Sequence, residues 1–332
     1  MNALLQYCYF ICGNETNKQY HLIEFVQNNL EQLIEERILS DKIVLAWFAY
    51  HIYFLYPLDK DWTKNNLNRI FPESREYREL WRLSLESYLS CPNLHVEIYH
   101  EMRKIYKKGL NKLQSEKFSY HSKEMLVKHL ISAFFEGLED IDENSLINVL
   151  FKKENVKFFN HAAWYINKLY LDWRNENEIS DNSKKVEKVI DFWKLRIEQI
   201  GQDQSILNLM ENEFQWYASF FEKSDKNNKI LKLLQKVLEY TKGKIGVYTR
   251  GVILKLFEYT ADDYLNVLKC LIILIQGDLN LWIYGDIESS LKEFIEYGIR
   301  NHEDREIRFY LNKFIQELTK LGFHDFSQFY IE

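Results

Sequence analysis

Proline is nearly missing from this sequence. Three occur in 332 residues, Pro57, Pro72 and Pro92, and the 240 residues after Pro92 hold none. A chain of sheets and long loops usually carries several, because proline serves turns and breaks helix interiors. Glycine is sparse as well, eleven in all, and neither GxGxxG nor GxxxxGKS/T occurs. The loops with which nucleotide enzymes cradle phosphates therefore lack their residues. The four cysteines, Cys8, Cys12, Cys91 and Cys270, are too scattered for a disulfide framework and fit a reducing cytoplasm. Cys8 and Cys12 share a helix spacing, but two thiols without a nearby histidine make no zinc site.

Charge of one sign is also modest. The net value of −6 favours solubility and argues against wholesale coating of nucleic acid. No apolar run reaches the roughly 20 residues that cross a bilayer. The strongest, Ile43 to Tyr56, has 14 residues, contains His51 and ends at Pro57, as a buried helix would. The apolar stretch from Ala3 to Cys12 has neither a basic n-region nor a small-residue cleavage site. A cytoplasmic protein without a membrane partner is expected.

What the sequence does have is helical periodicity and aromatic bulk. Aromatic residues make up 16%, and such large side chains fill the gaps between helices. From Tyr20 to Leu39, Leu22, Phe25, Val26, Leu30, Leu33 and Ile34 form a stripe at helical spacing. The prolines mark a less regular region holding one helix, about 77–89. From Asn93 the spacing predicts helices over 94–114, 122–138, 143–153, 156–175, 184–200, 204–222, 227–241, 247–259, 262–275, 286–299 and 303–321. Short breaks of Gly, Asn, Asp and Ser separate them. Thr260 with Asp263 resembles a capping box. The helix it opens ends in LKCLIILI, apolar nearly all round, and is expected to be an inner helix. A helix pair takes about 40 residues, the size of a HEAT or armadillo unit, although no tight repeat is present. The expected fold is all-α, an irregular α-solenoid of HEAT/armadillo-like helix pairs, with a compact two-lobe helical bundle as the alternative. The expected division is 1–92, with all the prolines, and 93–332, the helical array.

A search for chemistry returns little. His95 and His100 lie about 140° apart around a helix and cannot share a metal, and HExxH is absent. Asp140, Asp142 and Asn144 imitate the start of an EF-hand loop, but Ser145 replaces its glycine and Phe151 its bidentate glutamate. Acidic residues at a helix start, favoured by the dipole, explain them better. Ser289 and Lys292 form an S-x-x-K without its partner motifs. There is no G-x-S-x-G, and no cysteine set near a histidine is expected. No catalytic, metal or cofactor residues are assigned, and an enzyme is not expected.

One electrostatic feature stands out. Between Lys226 and Lys255 lie eight basic residues against the single acid Glu239, around the segment TKGKIGVYTRG. Its G-K-I-G echoes the GXXG loop of KH domains, but the flanks are helical and carry no strands. Glycines at a helix–helix turn beside a solvated lysine face, or a phosphate or nucleic-acid contact at Lys236, Lys242, Lys244 and Arg250, are the two readings. A second basic stretch runs through Arg103, Lys104, Lys107, Lys108, Lys112 and Lys117. Trp164, Trp173, Trp216 and Trp282 sit near helix ends, where they either stack between helices or form a protein-binding hot spot.

The second half carries a resemblance. FFNHAAWYINKLYLDW, FWKLRIEQI, EFQWYASFF, LLQKVLEYTKGKI, YLNVLKCLIILIQGD and LNKFIQELTKLGFHDFSQFY follow one another from Phe158. Their aromatic and leucine pattern resembles the C-terminal helical regions of large bacterial anti-phage defence proteins, such as STAND-type NTPases. The resemblance implies a HEAT-like solenoid that senses or binds a partner while another domain supplies the enzyme. No NTPase, nuclease or NAD-consuming domain is visible here, so a stand-alone subunit or one piece of a longer protein is expected. The function it implies is a non-enzymatic protein-binding sensor of a bacterial defence assembly, contacting an effector subunit or phage protein. The alternative is a nucleic-acid-binding helical protein using Lys226–Lys255.

Overall fold

The computed structural model describes residues 6, 24–115, 117–176, 183–202, 207–277 and 287–331. Among them are fifteen α-helices, a few short 3-10 turns and no strand, so the fold is all-α. The chain divides into two compact units, Met1–Phe158 and Phe159–Glu332.

In the first unit, α1 (Glu24–Arg37) buries Val26, Leu30 and Ile34, one face at a four-residue spacing. Helix α2 (Lys42–Leu58) is capped by the Asp41 carboxylate, which accepts from the backbone N–H of Ile43 at 2.9 Å. It packs chiefly on α4 (Arg78–Leu89). The expectation of a wholly buried helix here needs correcting. Leu45, Phe48, Ile52 and Leu55 are inside, but Ile43 is 78% exposed and Tyr50 and Phe54 also reach solvent. Pro57 occupies the last turn.

A helix that the apolar pattern did not announce follows at once. Asp59 ends α2 through its N–H to the Leu55 carbonyl, and its carboxylate accepts from Trp62 N–H at 2.9 Å, opening α3 (Lys60–Ile70). The buried face of α3 is Trp62, Thr63, Asn66, Leu67 and Ile70. That is helical spacing with polar residues at two of five positions, too weak a stripe to see from hydrophobicity.

Helices α5 (Tyr99–Leu110), α6 (Tyr120–Phe135) and α7 (Leu146–Leu150) complete the unit. Ser145 caps α7 by accepting from Asn148 N–H at 3.1 Å, so the Asp140–Ser145 stretch is a helix approach. Two polar clusters lie in this core. Glu139 accepts from the Tyr99 hydroxyl at 2.9 Å, Arg103 Nε at 2.6 Å and the backbone N–H of Leu146 at 3.0 Å. His129 bonds the Cys91 carbonyl through Nε2 at 3.0 Å, so Nε2 carries the proton and Nδ1 accepts from the Tyr106 hydroxyl at 2.9 Å. Tyr88, 3.1 Å from Tyr106, must then donate to it. These bonds tie residues on both sides of position 92, so the division expected there falls inside the first unit.

The second unit holds α8 (Phe159–Glu176), α9 (Ser183–Gln202), α10 (Leu207–Lys223), α11 (Asn228–Thr241), α12 (Thr249–Glu258), α13 (Tyr264–Gly277), α14 (Ile287–Asn301) and α15 (Arg305–Lys320). From α8 to α13, each helix packs on the one two places further along the chain. The pairs α8·α9, α10·α11, α12·α13 and α14·α15 also pack on each other. Helix α13 buries Val267, Leu268, Cys270, Leu271 and Leu274 among others, an inner helix as its composition predicts. Its N-terminus differs from expectation. Thr260 bonds back to the Phe257 carbonyl at 2.7 Å, and Asp263 accepts from Asn266 N–H at 3.4 Å, so Asp263 is the cap. Between α9 and α10, Arg196 and Glu213 form a two-bond ion pair at 3.2 and 3.1 Å with both side chains fully buried. The guanidinium carbon lies 4.1 Å from the Phe159 ring centroid.

Candidate functional site

The basic segment of the second unit spans α11, the turn after it and α12. Helix α11 buries Ile230, Leu231, Leu234, Val237 and Leu238 and turns its lysines outward. It ends with Lys242 in the left-handed region (φ 51°) and Gly243 at φ 78°, whose N–H returns to the Leu238 carbonyl at 2.9 Å. This left-handed C-terminal motif satisfies carbonyls that the helix end would orphan.

The glycines there have a packing reason. A Cβ on Gly243 would lie 2.3 Å from the Ile273 carbonyl oxygen, and one on Gly277 would lie 2.0 Å from the Lys242 carbonyl oxygen. The two glycines let the turn and the end of α13 touch backbone to backbone. Gly246, at φ 65°, has open space around it and serves the 3-10 turn Gly246–Tyr248. The G-K-I-G of this segment is thus a turn between helices whose first glycine is committed to packing.

The cations divide into two groups. Lys226 pairs with Asp262, Lys229 with Glu187 at 2.8 Å, and Lys255 with Glu258 at 2.6 Å. Lys232, Lys236, Lys242 and Lys244 are exposed and make no hydrogen bond or ion pair with the described residues. Lys229, Lys232 and Lys236 follow one helix face at spacings of three and four. Arg250 is exposed in the first turn of α12. Between Lys244 and Arg250 stands Val247, 88% exposed, in the 3-10 turn. Lys236, Lys242, Lys244 and Arg250 are therefore all at the surface of one helix–turn–helix.

The candidate tryptophans do not converge. Trp164 and Trp173 are both on α8, half-buried, but nine residues apart and so on opposite sides of it. Trp216, half-buried on α10, donates through Nε1 to Asn160 at 2.9 Å, one turn from Trp164. Trp173 stacks toward Tyr170 at 6.2 Å. Trp282 lies outside the described residues.

Two arrangements in the first unit were not legible in sequence: a cysteine–histidine contact, and which cations of the second basic stretch are paired. Cys91 Sγ lies 3.4 Å from His95 Nε2, a cysteine beside a histidine after all, and His95 stacks on Tyr53 at 4.8 Å. Burial holds the His95 imidazole below its ordinary pKa. The signal was the CPNLH spacing, which a non-helical turn closes. The second basic stretch is the other arrangement. Arg103 is committed to Glu139 and Lys104 to Glu73, whereas Lys108 and Lys112 sit over the ring of Trp81. Among the described residues no group of three His, Cys, Asp or Glu side chains is placed to hold a metal, and no helix is long and apolar enough to cross a membrane. No family model matches the chain, and no curated protein is similar to it in sequence.

Proposed function

We propose that this chain is a non-catalytic helical recognition module, the partner-binding part of a bacterial defence assembly acting in the cytoplasm. It contacts a protein partner with an acidic surface, either an effector subunit or a phage protein. The observation that carries this reading is the packing order of the second unit, each helix against its neighbour and its next-but-one. Stacked helix pairs of a HEAT-like solenoid pack in that order, and such arrays use their repeated helix ends and faces as binding surfaces. The aromatic and leucine pattern from Phe158 onward supports the same reading by its resemblance to the helical regions of defence proteins. The contact face is the tip formed by α11 and its turn. Lys232 and Lys236 on the helix and Lys242 and Lys244 in the turn are exposed and unpaired among the described residues, and the exposed Val247 follows them in the same turn. Such a cationic face with an apolar point complements an acidic surface carrying an apolar pocket.

The test compares the tagged chain with a Lys236→Glu/Lys242→Glu/Lys244→Glu variant in affinity purification from a phage-infected bacterial host, with nuclease treatment throughout. A stoichiometric protein retained by the native chain after nuclease and lost by the variant supports the proposal. Equal recovery by both chains removes this face from it. A second reading has its own observation, because the same unpaired lysines would suit nucleic-acid phosphates. It expects oligonucleotide binding that weakens steeply with salt and loses slope in the triple variant.

A further inference from the structure

The first unit contains a cavity of about 580 Å³ between the start of α4 and the end of α5. Pockets that hold small molecules run from roughly 300 to 1,000 Å³. Its charge is lopsided. Arg75, Arg78, Lys108, Lys112 and Lys117 line it, against the single carboxylate of Glu73. Glu73 is already bonded to Lys104 at 2.8 Å, and Lys117 reaches Glu79 at 3.5 Å. The other four cations have no hydrogen bond or ion pair to any described residue.

The sequence builds this arrangement by spacing. Lys104, Lys108 and Lys112 are four residues apart and fall along one stripe of α5 and the turn that follows it. Arg78 opens α4, and Arg75 stands in the 3-10 turn before it. Trp81, one turn into α4, is buried with its ring beneath both ammonium groups, whose nitrogens lie 4.6 and 4.5 Å from its centroid. The indole offers a cation–π contact to each; Glu73 acts on Lys108 and Glu79 on Lys112 only at a distance, without a hydrogen bond or ion pair to either. Partial burial lowers the pKa of Lys108 and of Lys112, and for Lys112 the neighbouring Lys108 and Arg78 push the same way. Five cations crowded into a partly dry cleft that one carboxylate lines are a cost that a bound anion would reduce.

The donors select the anion. Two guanidinium forks and two lysine point charges present hydrogen-bond donors around one cavity, joined by the Ser74 and Ser115 hydroxyls. A group with several oxygens on tetrahedral centres and at least two negative charges meets them from all sides. We propose that this cleft binds a compact oligophosphate, a di- or triphosphate group, free or carried as the head of a larger small molecule. The site shares no residue with the basic tip of the second unit, so the two proposals stand or fall separately.

Isothermal titration calorimetry on the full chain tests it, with inorganic pyrophosphate and tripolyphosphate as ligands, and citrate and a DNA duplex as comparison anions. The expected result is saturable binding of tripolyphosphate at one site, stronger than citrate. Lys108→Gln/Lys112→Gln weakens binding at least about tenfold. Should that pair disturb the packing on Trp81, Arg75→Gln/Arg78→Gln changes exposed side chains only and gives the same loss at an unchanged melting temperature. Absence of saturable phosphate binding overturns the proposal, as does an affinity that neither double variant alters. Citrate binding as tightly as tripolyphosphate overturns the phosphate assignment, and tighter duplex binding that the same variants abolish gives the cleft to nucleic acid.

Discussion

Each unit holds a fully buried polar arrangement, and the two differ in kind. The first threads a neutral chain through its core, from the Tyr88 hydroxyl to Tyr106, to His129, to the Cys91 carbonyl. Every donor has one acceptor, and the direction is fixed by the carbonyl at its end. The second buries a full charge pair, Arg196 with Glu213. A neutral chain is vulnerable to pH, because protonation reverses one of its bonds. A buried ion pair is vulnerable to mutation, because removing one partner strands the other charge.

The largest expected effect breaks the second arrangement. Arg196→Met leaves Glu213 buried and uncompensated, with an expected loss of about 3–5 kcal/mol. Burial already pushes the Glu213 carboxyl up against the pull of Arg196, so without the arginine it would take up a proton more readily. Arg196→Met with Glu213→Leu should recover most of the loss, since an apolar pair of similar volume avoids both desolvation costs. Urea unfolding of the wild type, the single and the double variant measures this. A double variant as unstable as the single would show that the pair itself, and not the stranded charge, supplies the stability.

The first arrangement is tested by pH. Burial lowers the His129 pKa to about 4. An unfolded histidine titrates near 6.5, so between these values the unfolded chain binds a proton that the folded chain refuses. Stability is therefore complete above about 6.5 and falls as pH drops toward 4, by about 3 kcal/mol in all. Burial lowers His51 and His95 in the same direction. A His129→Gln variant should flatten this slope without abolishing it. Two-dimensional NMR of the imidazole protons supplies the direct check, and a His129 that titrates near 6.5 would refute the directed chain.

How far the sequence revealed these features depends on how far apart their residues stand. The helices after Asn93 were legible because burial on one face repeats every 3.6 residues, a local signal. Helix α3 was not, because Thr63 and Asn66 fill buried positions with polar atoms. The cap of α13 was misplaced because Thr260 and Asp263 are equally good caps by type. Only the fold decides that Thr260 bonds backward. Arg196 and Glu213 are 17 residues apart on different helices, and Trp81 is 27 residues from Lys108, so neither the pair nor the cleft has a linear signature. The basic tip was legible as composition. Which of its cations are free was not, because Asp262 and Glu187 reach it from outside the segment.

The tight junctions repeat the contrast between the units on a smaller scale. The first unit joins α2 to α3 with a side chain, the Asp59 carboxylate on Trp62 N–H. The second seats the end of α11 on α13 by having no side chains at all, at Gly243 and Gly277. Their failures should differ in size. At Gly277→Ala the new methyl would meet the Lys242 carbonyl 2.0 Å away, a backbone atom that no rotamer change can move. The junction must open, at an expected cost of about 1–3 kcal/mol. Asp59→Ala loses a cap, about 1 kcal/mol, and Asp59→Asn should restore most of it because the amide oxygen still accepts. Hydrogen exchange locates each effect. Gly277→Ala should speed exchange at the ends of α11 and α13, and Asp59→Ala only in the first turn of α3. If instead Gly277→Ala left protection at Lys242 and Gly243 untouched, the close backbone approach would not be what sets the turn. The lysines at the tip would then owe their position to α11 alone.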